Sequence, residues 1–146
     1  MDKIKVLFLC VHNSARSQMA EAYMKKFGSE RFAPESAGLE PGTLNPLAVE
    51  VMREDGIDIS NNPTKDVFDL FKQGKYFFYV ITVCDASSSD RCPVFAGMQT
   101  KINWDFADPS KATGSHEEKL AQTRIVRDEI KDAVKKFIHD VTNPQL

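Results

Sequence analysis

The chain has no broad excess of either charge, no long apolar run, no even set of cysteines, and no repeat or low-complexity tract. Each absence removes a class of function. With 19 Lys and Arg against 21 Asp and Glu, a net charge of −2 leaves no basic field to hold a phosphate backbone. Nucleic acid is therefore not an expected partner, and any useful basicity must be local. The first apolar run, Val6 to Val11, is far short of a membrane span and no small-residue cleavage site follows it, so no membrane association is expected. Three cysteines are an odd count. That does not suit a secreted disulfide framework and fits a reducing compartment, so a cytoplasmic protein is expected. A length of 146 residues suffices for one domain with a real core and is too short for two of ordinary size. Residues 1–146 read as a single domain, and a monomer is expected.

Apolar runs alternate with helical patterns, which predicts a parallel α/β sheet covered on both faces. The first strand spans about Ile4 to Cys10, and a helix runs from near Ala15 to just before Gly28 with Met19, Ala20, Tyr23, Met24 and Phe27 on its apolar side. A short strand lies near Ala33 to Ala37. Asn45 caps a helix that has Pro46 at its first position and ends at Gly56. Another helix covers about Lys65 to Gln73. Tyr76 to Val83, aromatic and β-branched without polar alternation, reads as a central strand buried on both sides. A last short strand at Ile102 to Trp104 precedes a long helix opened by the capping box Ser115 to Glu118, with Leu120, Val126, Ile130, Ala133, Val134, Phe137, Ile138 and Val141 as its core stripe. Asn143 to Leu146 should fray.

Where the first strand gives way to the first helix, the sequence is Cys10-Val11-His12-Asn13-Ser14-Ala15-Arg16-Ser17. A strand end followed by a helix start lets the amides of Val11 to Ser17 wrap into a concave nest for a tetrahedral dianion. The same positive field, with Arg16 over the loop, should make Cys10 titrate well below the ordinary thiol value of about 8.5. Arg16 offers a planar fork for two oxygens of the ligand, which Lys would not reproduce. Ser17 is placed to donate its hydroxyl to the sulfur, and Asn13 and Ser14 suit the tight turns. His12 reads as a spacer at the rim more readily than as a proton handler. The plain alternative is that Cys10 is an inert buried strand cysteine, and Cys-x5-Arg by itself is a weak pattern. Its place between an apolar run and an amphipathic segment is what favours the anion loop.

Two more cysteines follow. Cys84 ends the second central strand, at the sheet edge where ligands of open α/β folds collect, so it can approach Cys10. Cys92 lies beyond a segment containing Ala86, Ser87, Ser88 and Ser89, small polar residues that predict a mobile loop able to bring it to Cys84. Cys-x7-Cys is unspecific on its own, and two unrelated thiols remain an open reading. Three thiols could also hold zinc, although this spacing is not one of the usual close-set ligand pairs.

The run Cys10 to Glu21, with Ser36-Ala37-Gly38, Asn45-Pro46, Asp58-Ile59-Ser60 and Trp104-Asp105-Phe106-Ala107-Asp108-Pro109, resembles the low-molecular-weight protein tyrosine phosphatase superfamily, most closely its thioredoxin-coupled arsenate reductases. The resemblance implies a three-layer fold with a four-stranded parallel sheet flanked by helices. It also implies a relay in which Cys10 attacks arsenate, Cys84 attacks Cys10, and Cys92 attacks Cys84, leaving a Cys84–Cys92 disulfide for thioredoxin to reduce. Asp108, directly before a proline, matches the superfamily's general acid; an ordinary Asp-Pro turn is the plain alternative and Asp105 the rival acid. Asn13, Glu21, Ser36 and Asp66 resemble positions that hold a monovalent cation in some members, and no tightly bound cofactor is otherwise implied. Ala15 stands where some relatives carry an additional cysteine. The competing function is a phosphomonoesterase acting on phosphotyrosine through Cys10, Arg16 and Asp108, with arsenate or a phosphate-like oxyanion as the ligand in either case.

Overall fold

The computed structural model describes residues 2–84 and 99–143. Its first strand, β1 (Ile4–Cys10), is buried from Val6 onward because it is central, with a neighbour on each side. Successive side chains of a strand point to opposite faces, and β1 divides accordingly. Val6, Phe8 and Cys10 enter a large core shared with the helices α1 (Arg16–Gly28), α2 (Pro46–Glu54) and α4 (His116–Thr142). Leu7 and Leu9 enter a smaller one with Val67 and Leu70 of α3 (Val67–Lys72). The result is three layers, helices on both faces of one sheet. The remaining strands are β2 (Phe32–Gly38), β3 (Tyr79–Thr82) and β4 (Thr100–Asn103), all parallel in the order β2-β1-β3-β4. This is the three-layer, four-stranded parallel architecture that the family resemblance implies. No helix among the described residues is long and apolar enough to cross a membrane.

Strand register fixes the site. Leu9 pairs with Thr82 and Cys10 with Gly38, so the carboxyl ends of β1, β2 and β3 reach one edge together. Helix ends follow the expected caps. Asn45 accepts from the Leu47 amide with Pro46 at the first position, and Ser115 and Glu118 form a reciprocal capping box for α4.

Three elements differ from expectation. The central strand is Tyr79–Thr82 rather than Tyr76 to Val83, since only these residues register with Val6 to Leu9; Tyr76 and Phe78 are 56% and 55% exposed, and Phe77 packs on the α3 side. An unbroken apolar run cannot reveal where pairing begins. The helix expected over Lys65 to Gln73 is shorter because Asp66 bridges to Gly38 in extended conformation and caps Val67–Lys72 through the Phe68 amide. The last strand starts at Thr100 rather than Ile102, paired with Tyr79. On α1, Phe27 is partly exposed although the helical pattern puts it inward, whereas Met19, Ala20, Tyr23 and Met24 are buried as expected.

Candidate active site

The loop after β1 is sewn along its outer side to residues 39–45. The Cys10, Val11, His12 and Ser14 carbonyls accept from the amides of Leu39, Glu40, Gly42 and Asn45 at 3.1, 2.7, 3.0 and 2.9 Å. Among the described residues, no amide from Val11 to Ser17 donates to another backbone carbonyl of the surrounding loops. Ala15, the N-cap of α1, contributes no side-chain cap. Carbonyls are thus consumed and donors left available, which is what an anion at a helix N-terminus requires. Gly38 makes the close approach feasible. A Cβ there would stand 2.8–2.9 Å from the Val11 oxygen, the Asn13 nitrogen and the His12 carbonyl carbon, all backbone.

Buried side chains lock the turn. Asn13 adopts φ 54, in the left-handed region that Asn tolerates better than most residues. Its Oδ1 accepts from the Lys65 amide at 2.8 Å, and its Nδ2 donates to Ser17 Oγ at 2.8 Å. Gln18, 1% exposed, donates through Nε2 to the carbonyls of Asn13 and Pro63 and accepts from Asn62. The His12 ring lies at the rim, its Nδ1–H donating to the Glu40 carbonyl at 2.9 Å, so the neutral ring keeps its lone pair on Nε2.

Cys10 and Cys84 are both buried, 4% and 2% exposed, and their thiols are hydrogen-bonded. Two expectations are corrected here. Cys10 does not titrate below its ordinary value but is pushed up, first by the hydrogen bond with Cys84 and then by burial; the Arg16 charge and the Val11 amide pull in the other direction. A neighbouring sulfur that can share the proton outweighs the guanidinium because two adjacent thiols cannot both ionise easily. No hydrogen bond joins Ser17 to Cys10 among the described residues: the Ser17 hydroxyl accepts from Asn13 instead. Cys92 and the expected mobile loop Ala86 to Ser89 lie outside the described residues.

Opposite the loop stands the segment after β4. Arg16 Nη1 donates to the Phe106 carbonyl at 3.0 Å, and Nη2 lies 3.4 Å from Asp108 Oδ2. Asp108 Oδ1 accepts from the Ser110 amide and hydroxyl at 2.9 and 2.8 Å, capping a short 3-10 helix, Pro109–Lys111. Burial pushes the Asp108 carboxyl up, but Ser110, Arg16 and Lys111 together hold it below the usual carboxylate range. The plain Asp-Pro turn is thus present: one oxygen builds the turn, and the other faces the guanidinium. Val11, His12, Arg16, Cys84, Asp105, Phe106, Asp108 and Lys111 line one cavity of about 370 Å³. The Cys84 thiol, hydrogen-bonded to Cys10, a guanidinium and a carboxylate converge there on a space suited to a tetrahedral oxyanion.

The family model for low molecular weight phosphotyrosine protein phosphatases matches residues 5–145. The chain belongs to that family. An arsenate reductase of Bacillus licheniformis is 43% identical over 139 residues, 94% of this chain and 96% of that protein. A solved arsenate reductase in the phosphate binding state superposes with a TM-score of 0.74 at 31% identity, covering 94% of this chain and 98% of that one. A thioredoxin-dependent arsenate reductase of Corynebacterium glutamicum superposes with a TM-score of 0.73 at 26% identity, covering 98% of this chain and 64% of that one.

Of the four positions that resemble a monovalent cation site of this phosphatase family, Ser36 stands out. Its Oγ is buried and has no hydrogen-bond partner among the described residues. Asn13 Oδ1 already accepts from Lys65 and Gln18, Glu21 holds Lys25 at 2.7 Å, and Asp66 caps α3. The set consists of oxygens, the donor type that suits an alkali cation, and one of them is orphaned, so the residues fit such an ion. Among the described residues no group of three His, Cys, Asp or Glu could hold a metal. The contributions of Gln18, the Phe106 carbonyl and Lys111 are not legible as site features in the sequence. A glutamine within the motif and a lysine three residues past the acid were the available signals.

Proposed function

We propose that the protein reduces arsenate to arsenite through Cys10, Cys84 and Cys92, with thioredoxin as the reductant that returns the oxidised pair to thiols. The observation that carries this reading is the hydrogen bond between the Cys10 thiol and that of Cys84, which lines the anion cavity. Hydrolysis through a phosphocysteine needs one sulfur. A second one against the first is the arrangement that thiol–disulfide exchange needs.

The steps balance as follows. The dianion binds the loop amides and Arg16, and the thiol pair gives up a proton. Cys10 thiolate attacks arsenic and a hydroxyl departs as water, protonated by Asp108, which the released thiol proton replenishes. Cys84 passes its own thiol proton to an oxygen of the arsenic group and attacks Cys10 Sγ, the sulfur–arsenic bond breaks, and its electron pair reduces arsenic from the +5 to the +3 state. Arsenite leaves and a Cys10–Cys84 disulfide remains. Cys92 attacks Cys84, freeing Cys10, and thioredoxin's dithiol reduces the resulting Cys84–Cys92 bond. A monomer in a reducing cytoplasm suits this cycle, and an alkali cation on Ser36, Asn13, Glu21 and Asp66 would brace the back of the loop. That last point is tested by comparing the melting temperature in potassium and in tetramethylammonium chloride: a higher value in potassium that disappears in Ser36→Ala supports it, and equal values reject it.

Arsenate-dependent consumption of NADPH in the presence of thioredoxin and its reductase tests the main reading; no consumption refutes it. Cys10→Ser should abolish arsenite formation. The second reading, phosphomonoester hydrolysis, is supported by the family match and by the Cys10, Arg16 and Asp108 arrangement, and is assayed with para-nitrophenyl phosphate on the same preparation.

A further inference from the structure

We propose that Lys111 is a specificity-determining residue of the oxyanion cavity, its ammonium favouring small inorganic dianions over esters of the same tetrahedral group. The inference rests on the proposed oxyanion chemistry and extends it to what the mouth of the site selects. Lys111 lines the cavity together with Arg16, Asp108, Asp105, His12 and Cys84. Its backbone is fixed relative to the acid, since its amide donates to the Asp108 carbonyl at 3.0 Å within the 3-10 turn that Asp108 itself caps. Its charge reaches the Asp108 carboxylate and lowers its proton affinity.

The surrounding charges leave this ammonium uncommitted. Among the described residues no carboxylate lies within ion-pair distance of it, although Lys25, Lys65, Lys75, Lys131 and Lys136 all have such partners. Arg16 is tied to Asp108 and Phe106, and Asp105 and Asp108 add negative charge at the same mouth. A cation there offsets two carboxylates that would otherwise repel an arriving dianion. Lys111 also stands on the side of the acid, where the atom to be protonated must emerge. For an inorganic oxyanion that atom is a free oxygen that an ammonium can hydrogen-bond. In an ester the same position carries an organic group, which gains nothing from an ammonium and displaces its water.

Titration calorimetry on reduced full-length protein, with inorganic phosphate and with the non-hydrolysable phenylphosphonate, tests this. At low salt Lys111→Ala should weaken phosphate binding about fivefold and phenylphosphonate by less than about twofold, Lys111→Arg should restore most of the difference, and added salt should shrink it. In arsenate turnover the same variant should raise KM by a similar factor, with the change in kcat smaller than the change in KM. Equal weakening of both ligands, or no weakening, overturns the proposal, as does a fall in kcat at constant KM, which would place Lys111 behind Asp108 rather than on the substrate. Should the wild type consume no NADPH with arsenate, the reductase reading fails while the phosphate comparison still decides the role of Lys111.

Discussion

The two walls of the cavity are built by different means. The loop wall, residues 10–17, is fastened by four backbone hydrogen bonds to residues 39–45 and by the buried amides of Asn13 and Gln18. The acid wall, Trp104 to Lys111, is held to it among the described residues by the polar contacts of Arg16 with the Phe106 carbonyl and the Asp108 carboxylate. In the proposed mechanism, binding falls to a surface with little freedom to deform, whereas proton delivery falls to a surface tied by contacts that a bound anion can compete for. The difference suits the chemistry. A preorganised nest loses no energy to rearrangement when the dianion arrives, and the acid must be released from its counter-ion before it can carry a proton.

Substitutions separate the walls. The largest loss should come from Arg16→Lys, which serves both: an ammonium cannot hold Phe106 and Asp108 while also gripping two ligand oxygens, and kcat/KM for arsenate should fall by about a thousandfold. Gly38→Ala strikes the loop wall alone. Its Cβ meets only backbone atoms at 2.8–2.9 Å, so chemical denaturation should show a loss of about 3 kcal/mol. Asp108→Asn strikes the acid wall alone, lowering kcat by about a hundredfold with phosphate affinity retained. Because the Asp108 carboxyl is held below its ordinary range, its ties contribute stability above that range and lose it as pH falls through the lowered value. The variant should therefore be less stable than the wild type near neutrality and converge with it in acid, as thermal unfolding across pH would reveal. The smallest effect is the most diagnostic of the sulfur pair. Cys84→Ala removes the largest cause of the raised Cys10 value, so the pH midpoint for alkylation of Cys10 should move down.

The loop wall was legible in the sequence because its signals are local: an apolar run, a cysteine, an arginine six residues on, and an amphipathic helix. The first strand spans Ile4–Cys10, as the apolar run predicts, and both Asn45 and Ser115 cap their helices. What sequence missed depends on distant partners. The ends of β3 are set by its pairing with β1, not by the aromatic run from Tyr76 onward. The proton affinity of Cys10 is set by a sulfur 74 positions away in the chain, and loop composition alone could report only the positive field. Sequence marks Arg16 as a ligand for the anion, while its contacts with Phe106 and Asp108 require the fold to bring together residues ninety and more positions apart.

Everything turns on whether Cys84 takes the oxidation directly from Cys10. Reduced Cys92→Ser protein, exposed to arsenate and then alkylated and digested, should yield a peptide pair joined through Cys10 and Cys84 together with one equivalent of arsenite. Recovery of arsenite with Cys84 fully alkylated would contradict the account.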